Sequence, residues 1–219
     1  MALAQYQLIP LKENNEPLVD LSTFDFVLAP SYFEQGLSPD KRMFLREGVA
    51  KKLETAQKKL GKYKFKIWDG YRSRLVQNTI YKKFWDELQA KHPEWGEERL
   101  KREVAVFVNE ANDPNRIPPH ASGGAVDLTL VDLDGNELNM GTVFDHFGPE
   151  AHANYYEENN IDTEIAQNRR ILREALEAEG FKQYPDEWWH FDYGNQLWAF
   201  EIGEPYAIYG EAVFSSVKK

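Results

Sequence analysis

Two short segments, His120 to Asp127 and Glu187 to His190, constrain this chain more than any other part of it. The first reads Pro119-His120-Ala121-Ser122-Gly123-Gly124-Ala125-Val126-Asp127, and the second Glu187-Trp188-Trp189-His190. Two imidazoles and a carboxylate form a nitrogen/oxygen ligand set that can hold a metal ion and leave a position for water. Zinc suits that set best, although iron, cobalt or manganese can occupy one. Glu187 supplies a second carboxylate, of the kind that takes a proton from such a water. If His120, Asp127, His190 and Glu187 converge in the fold, the chain is a metallohydrolase.

The surroundings of these residues favour convergence. Ala125-Val126-Asp127-Leu128-Thr129-Leu130-Val131 is the strongest strand pattern in the sequence. Asp127 lies inside it, where a buried carboxylate needs a cation or several donors. His120 stands in the loop just ahead, and Gly123 and Gly124 let the backbone turn tightly enough for both residues to face one ion. His190 opens another strand and meets them only through tertiary folding. Strand positions i and i+3 face opposite sides, so Glu187 is expected on the preceding turn or a bulge, and Pro185 and Asp186 favour the turn. The Trp pair then offers an apolar wall that raises the carboxyl pKa toward neutrality. His92, His146 and His152 compete as ligands. His92, in a Lys-His-Pro helix end, reads as solvated, while the other two flank a polar loop. Asp69 and Arg72 read equally well as a local ion pair at a turn.

The remaining pattern gives the fold class. Ser38-Pro39-Asp40 looks like a helix start, and Phe44, Leu45, Val49, Leu53, Ala56 and Leu60 recur at helical spacing until Gly61. Tyr63 to Trp68 alternates with period two and turns at Asp69-Gly70-Tyr71-Arg72. Ser73 caps a second helix running to Lys91, and a third covers Glu97 to Asn109. The Pro-, Asn- and Gly-rich stretch from Ala111 to Gly124 is loop. Asp134-Gly135 makes a hairpin turn toward Glu137-Leu138-Asn139-Met140. An amphipathic helix runs from Asp162 to Glu179, Trp188 to Tyr193 is a strand, and the tail from Pro205 is weakly patterned. Helices and strands in separate runs favour an α+β fold. The expectation is one domain over residues 1–219, with a small antiparallel sheet carrying the metal site between flanking helices. A helical insertion is expected over residues 92–112.

Bulk properties exclude several functions. A chain of 219 residues buries roughly 70% of its unfolded surface and needs no staples. With 36 acidic against 26 basic residues, the net charge of −10 repels phosphate backbones and anionic membranes, so no nucleic-acid partner is expected. The absence of cysteine removes disulfides, thiolate ligands and a cysteine nucleophile. No apolar run approaches the ~18 residues of a membrane span, and the first residues do not resemble a leader. The chain therefore reads as soluble and cytoplasmic by default, or periplasmic if a signal peptide has been removed. The sequence sets no oligomeric state.

An ordered set of motifs resembles the zinc D-alanyl-D-alanine dipeptidases, which include the vancomycin-resistance type. The matching pieces are Trp68-Asp69-Gly70-Tyr71-Arg72, His120 through Asp127 with Leu128-Thr129-Leu130, Met140-Gly141-Thr142-Val143-Phe144-Asp145, Asn168-Arg169-Arg170, Gly180-Phe181 and Glu187-Trp188-Trp189-His190. They span Tyr63 to Phe191 in the family's order. The resemblance implies one zinc ion per chain on His120, Asp127 and His190, with Glu187 as general base and acid. It also implies that Arg72 stabilises the oxyanion and that Asp145 accepts the ammonium of a small dipeptide such as D-Ala-D-Ala. Two positions depart from the family: Pro118 where Ser is usual, which removes a hydroxyl that can help bind substrate, and Ser73 where Pro is common. Peptidoglycan D,D- or L,D-carboxypeptidases and endopeptidases of the same zinc group are the alternative within enzymes. A non-catalytic, metal-stabilised peptide-binding module is the alternative outside them.

Overall fold

The computed structural model describes residues 5–105, 108, 111–113, 116–146 and 148–213. In chain order the elements are β1 (Leu18–Asp20), β2 (Val27–Leu28), the single-turn α1 (Ser31–Glu34), β3 (Phe44–Arg46), α2 (Glu47–Leu60), β4 (Tyr63–Asp69) and α3 (Arg74–Lys91). Then come α4 (Glu97–Val104), β5 (Ala125–Asp132), α5 (Tyr155–Glu158), α6 (Thr163–Glu177), β6 (Lys182–Gln183), β7 (His190–Asp192) and α7 (Gln196–Ile202). Among the described residues, no helix is long and apolar enough to cross a membrane.

The expected strand around Asp127 is the middle of a five-stranded sheet ordered β2-β4-β5-β7-β6. Every residue of β5 but the last is buried. Val126, Leu128 and Leu130 join Val49, Leu53 and Ala56 of α2 and Leu172 and Leu176 of α6 in the main core. Each such Val or Leu side chain contributes roughly 1.5–3 kcal/mol of burial. The class is α+β as expected, but the sheet is mixed rather than antiparallel: β2 runs parallel to β4 through Val27↔Lys66 and Leu28↔Ile67. The other pairs in the sheet are antiparallel.

The reading of a helix from Ser38 needs correction. Phe44, Leu45 and Arg46 are all buried and pair with β1 as strand β3, so the helix begins only at Glu47. Burial on both faces is a strand's geometry, and the Arg46 guanidinium reinforces it. That group donates to the carbonyls of Ser122 (2.8 Å) and Glu16 (2.6 Å) and pairs with Glu13 (3.2 Å). Tertiary burial has overridden a good local helix start.

Other expectations hold with adjusted ends. Ser73 caps α3, its hydroxyl accepting from the Val76 amide, and Asp162 caps α6 through the amides of Glu164 and Ile165. Helix α4 ends at Val104, earlier than Asn109, and residues 106, 107, 109 and 110 lie outside the described part. It packs on α3, and Ile80, Phe84, Val104 and Val108 form a small second core with Tyr32. The turn at Asp134-Gly135 forms, with Gly135 at φ +88° and Leu138 donating to the Leu130 carbonyl at 3.0 Å. Only Glu137 bridges back, to Val131, so no full strand follows. The last strand starts at His190, because Trp188 and Trp189 lie in a turn.

Candidate active site

Sheet register brings the two key segments together. Asp127 of β5 and His190 of β7 are direct partners across the antiparallel ladder. His120 arrives from a 3₁₀ turn, Pro119–Ser122, that closes on Gly123. Gly123 has φ +72°, and a Cβ there would meet Leu18 at 2.6 Å, so the sharp turn requires glycine. Across β4 and β5 the register shifts between Ile67 and Asp69, placing Asp69 opposite Asp127. Such a bulge re-aims the end of a strand, and here it turns the Asp69–Arg72 segment toward the histidines.

Among the described residues, one group of side chains could hold a metal ion: His120, Asp127 and His190, all buried. His120 Nε2 lies 3.2 Å from His190 Nδ1 and 3.3 Å from Asp127 Oδ2, and His190 Nδ1 lies 3.0 Å from Asp127 Oδ1. The remaining ring nitrogens face outward. His120 Nδ1 donates to the Gly70 carbonyl at 2.8 Å, and His190 Nε2 lies 3.0 Å from Asp192 Oδ2. A carbonyl can only accept, so His120 carries a proton on Nδ1, and Nε2 is the nitrogen that faces the cluster. Burial pushes the Asp127 carboxyl up, but the two imidazoles outweigh it and hold Asp127 well below the usual range. His190 is conversely held above its ordinary value: burial lowers it, and Asp192 and Asp127 override that cost.

Glu187 leaves the β6–β7 turn as expected, its amide on the Tyr184 carbonyl, and Oε2 lies 3.8 Å from His190 Nδ1. Burial, with the charges of Asp127 and Asp145, raises its pKa to about 8 against the pull of His190 and Arg72. Arg72 forms the expected ion pair with Asp69 at 3.5 Å, and Asp69 also lies 3.4 Å from His120 Nδ1. The pair is thus part of the site rather than a separate surface feature. Asp145 has φ +57°, a left-handed conformation uncommon for a residue with a side chain. Both its oxygens accept from the Tyr32 hydroxyl, at 3.1 and 3.3 Å. Burial and nearby Asp127 raise Asp145 to about 7, with Arg72 and the Tyr32 hydroxyl opposing.

All six expected residues line one cavity of about 640 Å³, with Pro118 and Trp189 also in its wall. The competing histidines stay apart from the cluster. His92 stacks on Trp95, His146 faces Glu150 at 3.4 Å, and His152 faces Asp186 at 3.1 Å. Sequence reasoning missed Tyr32, whose ring also lies 5.0 Å from the Arg72 guanidinium, and Asp192 behind His190. A His-x-Asp spacing on one strand puts both side chains on the same face, which is a readable signal for Asp192. Tyr32 lies too far from Asp145 in the chain to leave any.

The arrangement is a buried metal-ligand cluster with a high-pKa carboxyl, a buried guanidinium and a second carboxyl in one cavity, which is the equipment of a metallopeptidase. The family model described as D-ala-D-ala dipeptidase matches residues 25–208. A D-alanyl-D-alanine dipeptidase of Synechocystis sp. is 29% identical over 226 residues, covering 92% of each chain. That of Enterococcus faecium is 33% identical over 149 residues, 64% of this chain and 69% of the relative. Among solved structures, VanYB in complex with D-alanine-D-alanine aligns with a TM-score of 0.42 and 18% identity, covering 89% of this chain and 90% of that one. The match to the family model takes in both metal-site segments and nearly all of the described fold, and the chain belongs to the D-Ala-D-Ala dipeptidase family.

Proposed function

We propose that the chain hydrolyses D-Ala-D-Ala or a closely similar small dipeptide, using one zinc ion held by His120, Asp127 and His190. The observation that carries this reading is the convergence of two imidazole nitrogens, 3.2 Å apart, on the Asp127 carboxylate, whose Oδ2 lies 3.3 Å from His120 Nε2 and whose Oδ1 lies 3.0 Å from His190 Nδ1. Ligands at 2.0–2.1 Å around a tetrahedral zinc stand about 3.3 Å apart, so the two imidazole nitrogens match one edge of that tetrahedron, with the Asp127 carboxylate beside both for a third corner. Bound zinc supplies an acidic water and polarises the scissile carbonyl.

The protein's own groups do the rest. Glu187, whose carboxyl burial raises above the ordinary range, takes a proton from the attacking water and delivers it to the leaving amine, as a general base and acid must. Arg72 stays charged: burial works against it, and Tyr32, Asp69, Asp127 and Asp145 together raise it above its ordinary value. Its guanidinium donates to the oxyanion that develops on the scissile carbonyl, a contact worth about 2.7–4 kcal/mol in comparable sites. Asp145 accepts the substrate's free ammonium, positioned by the Tyr32 hydroxyl. A carboxylate at that end selects a free amino terminus.

The test is a panel on zinc-loaded protein: D-Ala-D-Ala, its L,L counterpart, an N-acetylated D-Ala-D-Ala and a pentapeptide ending in D-Ala-D-Ala. Fastest turnover is expected on free D-Ala-D-Ala. Faster release of D-Ala from the pentapeptide would replace this reading with the carboxypeptidase one.

A further inference from the structure

We propose that Asp192 and Asn195 are positioning residues that fix His190 in its metal-binding tautomer and tie it to the start of α7; this rests on the zinc reading above. Asn195 caps α7 by accepting the Trp198 amide on Oδ1 at 2.9 Å. Its Nδ2 is thereby aimed the other way, and donates to Asp192 Oδ1 at 2.5 Å. The second oxygen of Asp192 faces His190 Nε2 at 3.0 Å. Asp192 is 1% exposed and Asn195 2%, so water cannot substitute for either contact.

Donor and acceptor roles along this chain leave no freedom. The α7 amide is a donor, so Asn195 Oδ1 must accept and Nδ2 must donate. Asp192 then meets a fixed amide donor on one oxygen and an imidazole nitrogen on the other. A carboxylate can only accept, so His190 Nε2 keeps its proton, and Nδ1, facing His120 and Asp127, is the nitrogen left to bind a metal. An asparagine at 192 cannot serve both neighbours. With its amide nitrogen toward His190, the imidazole proton moves to Nδ1 and blocks the metal. With that nitrogen toward Asn195, the cap on α7 must flip and is lost. His120 has a different support, a main-chain carbonyl from Gly70, so the two imidazoles are held by unequal partners. Groups behind a ligand commonly govern about 10–100-fold in metal affinity.

The experiment measures zinc affinity by chelator competition in the wild-type protein, Asp192→Asn and Asn195→Ser. Serine is as good an N-cap as asparagine, so Asn195→Ser keeps the helix start and removes only the donor to Asp192. The expected result is a loss of about 10–100-fold in affinity for Asp192→Asn and a severalfold loss for Asn195→Ser. The thermal midpoint of the chelated Asn195→Ser protein should match wild type. In zinc-loaded wild type, the His190 Nε2 proton should give a slowly exchanging imidazole resonance that the Asp192→Asn protein lacks. Wild-type affinity in Asn195→Ser, or in a folded Asp192→Asn, would overturn the proposal. A wild-type protein that binds no zinc would instead overturn the zinc reading.

Discussion

Asp127 and His190 are held by the sheet ladder and His120 by a buried 3₁₀ turn packed against them, whereas Glu187, Arg72 and Asp145 stand on less buried turns. Asp127 and His190 face each other across β5 and β7, in strands with no exposed residue. Glu187 lies in the turn before β7, Arg72 follows the bulged end of β4, and Asp145 sits in a left-handed turn at φ +57°. The charges differ as well. In the ligand cluster each charge has a near partner, which keeps Asp127 ionised. Around it, burial and neighbouring carboxylates push Glu187 to about 8 and Asp145 to about 7. The lesson is a division of labour: sheet strands and one buried, hydrogen-bonded turn for atoms that must hold one geometry, and less buried turns for groups that must change protonation or meet a ligand.

The largest effects come from breaking the rigid half. His120→Ala should abolish turnover together with metal content, read by elemental analysis of the purified protein; a full complement of zinc in that variant would remove His120 from the ligand set. Glu187→Ala should leave zinc in place and lower kcat by about 10²–10⁴-fold. Near wild-type turnover there would dissolve the distinction between the halves. Arg72→Ala should likewise retain zinc and lose about 10²–10³-fold in kcat.

Legibility in the sequence follows the same division. The ligands could be read because their types are chemically unusual where they stand, above all Asp127 inside an apolar strand. Glu187 could be placed on a turn because i and i+3 cannot share a strand face. Tyr32 and the mixed sheet could not be read. Both depend on which distant segments pack together: Tyr32 on Asp145, and the two-residue β2 alongside β4. The false helix start at Ser38 has the same origin, since only tertiary burial reveals Phe44 to Arg46 as a strand.

A smaller effect concerns the ammonium end of the substrate. Asp145→Asn keeps the shape and removes the charge, so KM should rise by about tenfold or more, on the scale of one hydrogen bond to a charged group. In the wild-type protein KM should fall as pH rises through the ionisation of Asp145, which burial raises above the ordinary carboxylate range. The variant should lose that dependence, and N-acetylated substrate should gain nothing from Asp145. A KM that is flat with pH in the wild type would detach Asp145 from the ammonium.

The smallest effect needs no substrate and separates the halves by stability alone. In metal-free protein, Glu187 and Asp145 titrate near 8 and 7, against roughly 4.3 and 3.9 in an unfolded chain. Between those values the unfolded state has released protons that the folded state still holds, so folding stability falls as pH rises from about 5 to about 8. His190 adds the same sign: held above its ordinary value, its contribution is present at low pH and lost as pH rises through its folded value. Asp127 acts at the other end, stabilising above the unfolded carboxylate range and losing that contribution only in strong acid. The chelated protein should therefore melt lower at pH 8 than at pH 6, by roughly 2–4 °C for each kcal/mol of stability lost in a chain of this size. Replacing both Glu187→Gln and Asp145→Asn should flatten most of that slope while leaving the part that belongs to His190. A midpoint that rises with pH in the wild type would mean that the turn-borne carboxyls are as well compensated as the ligand set, and the contrast between the two halves would fall.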